Sequence, residues 1–241
     1  MGGSRDVDPL RFLEGKTAWV TGGANGPGRI AAIALAKAGA DIAIGTLLDL
    51  HHHWTPADLR RASTDDLDNV LDAIAITGSR GIGGHLDIRS EESVERFRSH
   101  VNGEVGPADI LVNAARVSFP PQRPDHRVDE WQLVLDEYLN GTLRMIRSCI
   151  PVMSERRWGR IIGIPSLVNE SVVDEAAVRS LQGGLQSLTR GIAVEATPLG
   201  IGCFTISLDQ STPDTLGELV ASLCQASAMP LSGEEVTLSA A

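Results

Sequence analysis

Short apolar runs alternate along the chain with stretches whose apolar residues recur every three or four positions, from Thr17 to Leu238. The first run, Thr17 to Val20, leads into TGGANGPG and then an alanine-rich stretch, Arg29 to Ala38, ending at Gly39. This predicts a strand, a glycine turn and a helix, with Gly39 suited to a left-handed C-cap. Asp41 to Ile44 returns as a second strand. Residues 47–62 have no clean periodicity and exceed most connection lengths, so they read as an inserted loop. A helix over Thr64–Ile76 and a strand around His85 to Ile88 follow. Between them TGSRGIGG, Thr77 to Gly84, copies the glycine pattern but leads into a strand, so it reads as a loop. Ser90 suits an N-cap, with Glu91 and Glu92 in the first turn and Val94, Phe97 and Val101 on one face.

Ile110 to Val112 is the fourth strand, and a proline-rich link, Phe119 to Pro124, follows it. A long helix is expected from about Val128 to Ser154, with Trp131, Val134, Leu135, Tyr138, Leu139 and Thr142 at helical spacing. Then come a strand at Ile161 to Ile164, a helix at Ala176 to Ala196 and a strand at Cys203 to Ile206. Thr212 and Pro213 suit the N-cap and first position of a last helix to about Cys224, before a closing strand, Val236 to Leu238. Alternation of this kind predicts an α/β fold: a Rossmann-type, doubly wound parallel sheet of about seven strands, with helices on both faces and right-handed crossovers. One domain over residues 1–241 is expected, with residues 1–14 as an N-terminal extension and no internal repeat.

At 241 residues and 42% hydrophobic, the chain can bury one sizeable core. A formal charge of −10 without a basic cluster argues against nucleic acid or an anionic membrane as partner. No apolar run is long enough to span a bilayer, and MGGSRDVDPL lacks the blocks of a signal peptide, so a soluble, cytoplasmic protein is expected. Cys149, Cys203 and Cys224 are odd in number and sit in apolar surroundings, which predicts core thiols. His51, His52 and His53 are adjacent; they cannot all face one ion from a regular element, so no metal site is expected.

Gly22, Gly26 and Gly28 have the spacing of a turn that lets backbone approach a pyrophosphate at a helix N-terminus. The plainer reading of three such glycines is close packing. Pro27 brings no N–H, which weakens the anion grip, yet it is a comfortable first helical residue.

With TGGANGPG go Asp87-Ile88, Ile110-Leu-Val-Asn113, Leu139-Asn-Gly-Thr142, Gly159-Arg-Ile-Ile162, Leu188-Thr-Arg-Gly-Ile-Ala-Val-Glu195 and Ser232-Gly-Glu-Glu-Val236. In this order and register they resemble the short-chain dehydrogenases/reductases, from about Gly15 to Leu238. The resemblance implies an oxidoreductase that binds NAD or NADP through Gly22, Asn25, Gly26, Gly28, Thr46, Asp87, Ile88 and Asn113. Thr46 falls where NAD users carry an acidic residue, and Asp49 lies three residues on. In this family a serine, a tyrosine and a lysine four residues later carry the chemistry, helped by an asparagine on the preceding helix. Ser166 fills the serine position. Val178, Gln182 and Tyr138 fill the tyrosine, lysine and asparagine positions, Arg116 replaces a glycine, and Leu208-Asp209 replaces Pro-Gly. The substrate-covering segment shrinks to about Gln210–Asp214.

Tyr138 is the only tyrosine, and Lys16 and Lys37 the only lysines, so no Tyr-x-x-x-Lys can be drawn. Three functions stand open. The chain is a non-catalytic nucleotide-binding or partner subunit; or a lyase, isomerase or cyclase using Ser166 with Tyr138 or Arg179, or with Asp174 or Glu175; or an atypical dehydrogenase. The resemblance also implies a homo-dimer or tetramer through the fourth and fifth helices, or a hetero-oligomer with an active relative. A small-molecule ligand is expected beside Ser166.

Overall fold

Residues that alternate along each strand go to opposite sides of one sheet, and this divides the core in two. Val20, Ile42, Ile44, Val112, Ile162, Phe204 and Ile206 pack on one side, against Ala31, Ala32 and Leu35, Leu67, Val70 and Ile74, and Leu216 and Val220. Trp19, Ala43, Leu111, Ile161 and Cys203 point the other way, to Val94, Phe97 and Val101, Met145 and Cys149, and Ala193. Strands buried on both faces are what a parallel sheet with two helical layers requires. The computed structural model describes residues 11–48, 62–115, 117–118, 132, 134–165, 167–168, 175–209 and 213–239.

The strands are β1 (Thr17–Thr21), β2 (Asp41–Thr46), β3 (Gly81–His85), β4 (Ile110–Asn113), β5 (Val117–Ser118), β6 (Gly159–Gly163), β7 (Leu167–Val168), β8 (Ile201–Asp209) and β9 (Glu235–Ser239). The helices are α1 (Gly26–Lys37), α2 (Thr64–Ile76), α3 (Glu91–Glu104), α4 (Gly141–Arg156), α5 (Glu175–Ala196) and α6 (Pro213–Leu223). Seven strands form one sheet in the order β3-β2-β1-β4-β6-β8-β9, and β5 pairs with β7 in a separate ribbon. All of these pairs are parallel. The expected Rossmann-type doubly wound sheet of about seven strands is the observed one. Its order reverses between β1 and β4, and in such sheets the crevice at that switch point, beyond the strand C-termini, takes the ligand.

Local signals explain several boundaries. Ser63 caps α2 in a capping box with Asp66. Ser90 caps α3, its side chain accepting from the Ser93 N–H. Gly39 follows the end of α1 with φ +102°. Cys149, Cys203 and Cys224 are free and buried, and burial pushes each thiol up to about 12. They are core thiols, as expected.

Three expectations need correction. The third strand is Gly81–His85, not His85 to Ile88, so half of the supposed loop Thr77 to Gly84 is strand. Its register against β2 runs from Ile42↔Gly81 to Thr46↔His85. Leu67 of α2 lies over it so closely that a Cβ on Gly83 would meet Leu67 Cδ1 at 2.5 Å; the strand is glycine-rich because the helix covers it, and without side chains it gives no period. The long helix is not uniform: Asp136–Asn140 is a π-helical turn running into α4, which ends at Arg156 in a left-handed Arg157 with φ +51°. The sixth strand is longer than Cys203 to Ile206 because β8 serves two neighbours in stagger: Ile201–Thr205 pair with β6 and Thr205–Asp209 with β9. His51–His53, Arg116, the link Phe119 to Pro124, Trp131, Ser166, Asp174 and Thr212 lie outside the described residues.

No helix among the described residues is long and apolar enough to cross a membrane. Nor does any group of three or more His, Cys, Asp or Glu among them lie where a metal could be held.

Candidate active site

The glycine turn closes the C-terminal end of β1. Gly22 has φ +66°, and a Cβ there would stand 2.6 Å from the Ala114 carbonyl oxygen and 2.7 Å from Ala115 Cα. A Cβ on Gly28 would stand 2.5 Å from the Gly22 carbonyl oxygen. The plain reason for both glycines is therefore close backbone packing. The same packing fixes the start of α1, where Pro27 falls in the first turn and Asn25 is an extended N-cap whose side chain makes no capping bond. The Asn25 side chain thus leaves the helix start uncapped, which is the arrangement that receives an anion. Thr21 Oγ1 accepts from the N–H groups of Ala114 and Ala115 at 3.1 and 3.2 Å, tying the turn to the end of β4.

On the β2–β3 side, Thr46 ends β2 and is buried. Asp87 is committed to a neighbour that sequence reasoning missed. Its Oδ1 accepts from Arg89 N and Nε at 3.0 and 2.9 Å, and its Oδ2 from Arg89 Nη2 at 2.9 Å. Burial works to raise the Asp87 carboxyl, but the Arg89 bonds outweigh it and hold it below the ordinary range. A depressed carboxyl contributes stability above its unfolded pKa and loses it as pH falls through the folded one, so this clamp opens only in acid. Ile88 is buried, and Arg144 Nη1 donates to its carbonyl at 3.3 Å while Arg144 Nη2 donates to Asp136 at 3.0 Å. The signal available in the sequence was Arg89 itself, two residues beyond Asp87 in a tight loop.

Tyr138 lies in the π turn and packs with Val134, Leu181 and Leu185. A cavity of about 10 Å³ lies beside it, lined by Thr21, Ile88, Asn113, Ala115, Tyr138, Thr142, Ile164, Pro165 and Leu185; that is room for about one water. Tyr138 is 4% exposed and Asn113 6%, and the Tyr138 hydroxyl and the Asn113 amide nitrogen both lack a hydrogen-bond partner. Burial, and after it the negative Glu235, push the Tyr138 phenol above its ordinary value. It therefore keeps its proton, the reverse of the lowered pKa that proton exchange near neutral pH needs.

The structure brings Gly22, Asn113 and Tyr138 to one crevice. Val178 and Gln182 lie one turn apart on α5, with Gln182 half-buried. Arg179 is exposed on the same helix. The two lysines are at the far end of the strands: Lys16 precedes β1, stacks 3.9 Å over the Trp158 ring and faces Asp109, and Lys37 ends α1. Another group that sequence reasoning missed is Glu235, which accepts from Gln186 Nε2 at 2.8 Å and from the Ser207 hydroxyl.

The family model of short chain dehydrogenases matches residues 16–215. 3-Oxoacyl-(acyl-carrier-protein) reductase FabG of Pseudomonas aeruginosa is 31% identical over 187 residues, 76% of this chain and 68% of that protein. D-beta-hydroxybutyrate dehydrogenase of Rhizobium meliloti is 30% identical over 190 residues, 77% and 67% of the two chains. The crystal structure of a short-chain type dehydrogenase/reductase from Mycobacterium marinum superimposes with a TM-score of 0.78 at 22% identity, covering 95% of this chain and 96% of that one; at that identity the likeness speaks for the fold. The family match begins one residue before β1 and ends inside α6, so it takes in the whole crevice, and the chain belongs to the short chain dehydrogenase family.

Proposed function

We propose that this chain is a non-catalytic member of its family: a nucleotide-binding or partner subunit without the tyrosine–lysine route to hydride transfer. One observation carries this reading. The only tyrosine is sealed in the π turn with a raised phenol pKa, and both lysines stand at the opposite end of the strands. Val178 and Gln182 occupy the family's tyrosine and lysine positions, and valine offers no proton.

The two ends of a nicotinamide dinucleotide fare differently. The pyrophosphate end fits the turn of Gly22, Asn25, Gly26 and Gly28, whose helix N-terminus has no side-chain cap. Thr46, Asp87 and Ile88 would lie at the adenosine and Asn113 toward the nicotinamide, with either NAD or NADP. The other end is less well held: Gln182 stands at the family's lysine position, and the crevice at Asn113 and Tyr138 is narrow. As a partner subunit the chain would pair with itself, or with an active relative, through α4 and α5, in the cytoplasm.

A second reading draws on the partnerless Tyr138 hydroxyl. With Ser166 or Arg179 it would serve a non-redox lyase, isomerase or cyclase, with a small molecule beside Ser166.

Fluorescence titration with NADH and NADPH, followed by incubation with aldehydes and ketones, tests the first reading. The expected result is binding without consumption, and steady consumption overturns it. No binding at millimolar nucleotide removes the nucleotide-binding role and leaves the partner role. In the same assay Val178→Tyr with Gln182→Lys is expected to raise carbonyl-dependent NAD(P)H oxidation at least about a hundredfold above wild type, the scale of a restored general acid. An equal rate in the double variant would mean that more than the pair is missing.

A further inference from the structure

We propose that the cavity between Tyr138 and Asn113 is a seat for one neutral acceptor oxygen, either a water or the carbonyl oxygen of a small ligand. The proposal does not depend on whether the chain transfers hydride, because its test reads occupancy and not turnover.

Two buried groups with no partner line one cavity. The Asn113 amide nitrogen can only donate. The Tyr138 hydroxyl keeps its proton because burial and Glu235 raise its pKa, so it too has a hydrogen to give. A third donor faces the same space. Thr21 Oγ1 already accepts two backbone N–H groups, which leaves its own hydrogen to be donated. Ile88, Ile164 and Leu185 supply apolar walls. Buried donors left without a partner are unfavourable, and a single oxygen between them removes the deficit, with the Thr142 side chain also on the cavity wall. The narrow space beside them, about 10 Å³, is enough for one such atom. No lysine, arginine or histidine lines the cavity among the described residues, and Glu235 is close enough to act on Tyr138, so a neutral acceptor is favoured over an anion.

The test uses the full chain. High-resolution crystal structures are determined before and after soaking with acetamide, and acetamide affinity is measured in solution by NMR for wild type and Tyr138→Phe. The expected result is one oxygen within hydrogen-bond distance of both Tyr138 Oη and Asn113 Nδ2. If acetamide displaces it, the ligand source is established, and affinity should fall about tenfold in Tyr138→Phe, the worth of one hydrogen bond. If the oxygen stays water and disappears in Tyr138→Phe, water is the source. Phenylalanine keeps the ring packing, and the wild-type crystal structure is decisive even if the variant misfolds. An empty cavity, a direct bond between Tyr138 and Asn113, or an oxygen unchanged in Tyr138→Phe would overturn the proposal.

Discussion

Gly28→Val is expected to destabilise the protein by about 3 kcal/mol, at the upper end for forcing extra atoms into a packed site. The reason lies in what the new side chain would meet. Its Cβ alone would stand 2.5 Å from the Gly22 carbonyl oxygen, 2.8 Å from Gly22 carbonyl carbon and 3.1 Å from Gly23 Cα. All three are backbone atoms of the turn, which is itself held by the Gly22 N–H bond to the Gly45 carbonyl at 2.7 Å. Nothing can rotate aside, so α1 must move away from β1 or the turn must open. Urea unfolding measures the change, and nucleotide binding should be lost with it. Gly183 is the control: it lies within α5 with nothing within 4 Å of a built Cβ. Gly183→Ala is expected to stabilise by about 0.5–1 kcal/mol through helix propensity. Equal effects of the two substitutions would mean that the close approach at Gly28 is not what the turn depends on.

Asp109→Ala is expected to cost about 3 kcal/mol at the opposite end of the strands. Asp109 is 3% exposed. Its Oδ2 accepts from the Thr17 N–H at 3.1 Å and its Oδ1 from Arg156 Nη1 at 2.7 Å, with Lys16 Nζ 3.9 Å away. The three partners do not count equally. The Lys16 and Arg156 side chains are 31% and 44% exposed and turn to water when the carboxylate goes. Thr17 is buried at the first position of β1, so its N–H is the group left stranded. Asp109→Asn separates these contributions, because an amide oxygen still accepts from Thr17 while the charge is gone. Denaturant midpoints should place the Asp109→Asn variant much nearer wild type than the Asp109→Ala variant. If the two variants lose stability equally, the charge and not the Thr17 bond is what Asp109 contributes.

The fold was legible where burial has a period. Short apolar runs such as Thr17 to Val20, buried on both faces of β1, alternate with stretches of helical period, and that alternation is enough to predict the doubly wound sheet. It failed at β3, where glycine removes the side chains that carry a period, and at the π turn. A single extra residue in a helical turn leaves the heptad-like spacing of Val134, Leu135, Tyr138 and Leu139 unchanged to the eye, while it changes which side chain faces the crevice. In the site, Gly22, Thr46, Ile88 and Asn113 were legible as positions. What they do there was less so. Asp87 reads as a cofactor-binding position, but Arg89 occupies both of its carboxylate oxygens. Tyr138 reads as a candidate acid, but its burial and the nearby Glu235, 97 positions along the chain by number, raise its pKa. Long-range neighbours of this kind leave no trace in local sequence.

Hydride transfer itself is the most direct test of the central claim, that this scaffold has no tyrosine–lysine pair to move a proton along with a hydride. The full chain is incubated with NADH and NADPH deuterated at the transferable position and a panel of aldehydes and ketones, and the alcohols are examined by mass spectrometry. The expected result is no deuterium in any alcohol above a protein-free control, although nucleotide is bound. Deuterium accumulating in an alcohol over many turnovers, and lost on Tyr138→Phe, would contradict the claim and make Tyr138 the acid of a working dehydrogenase.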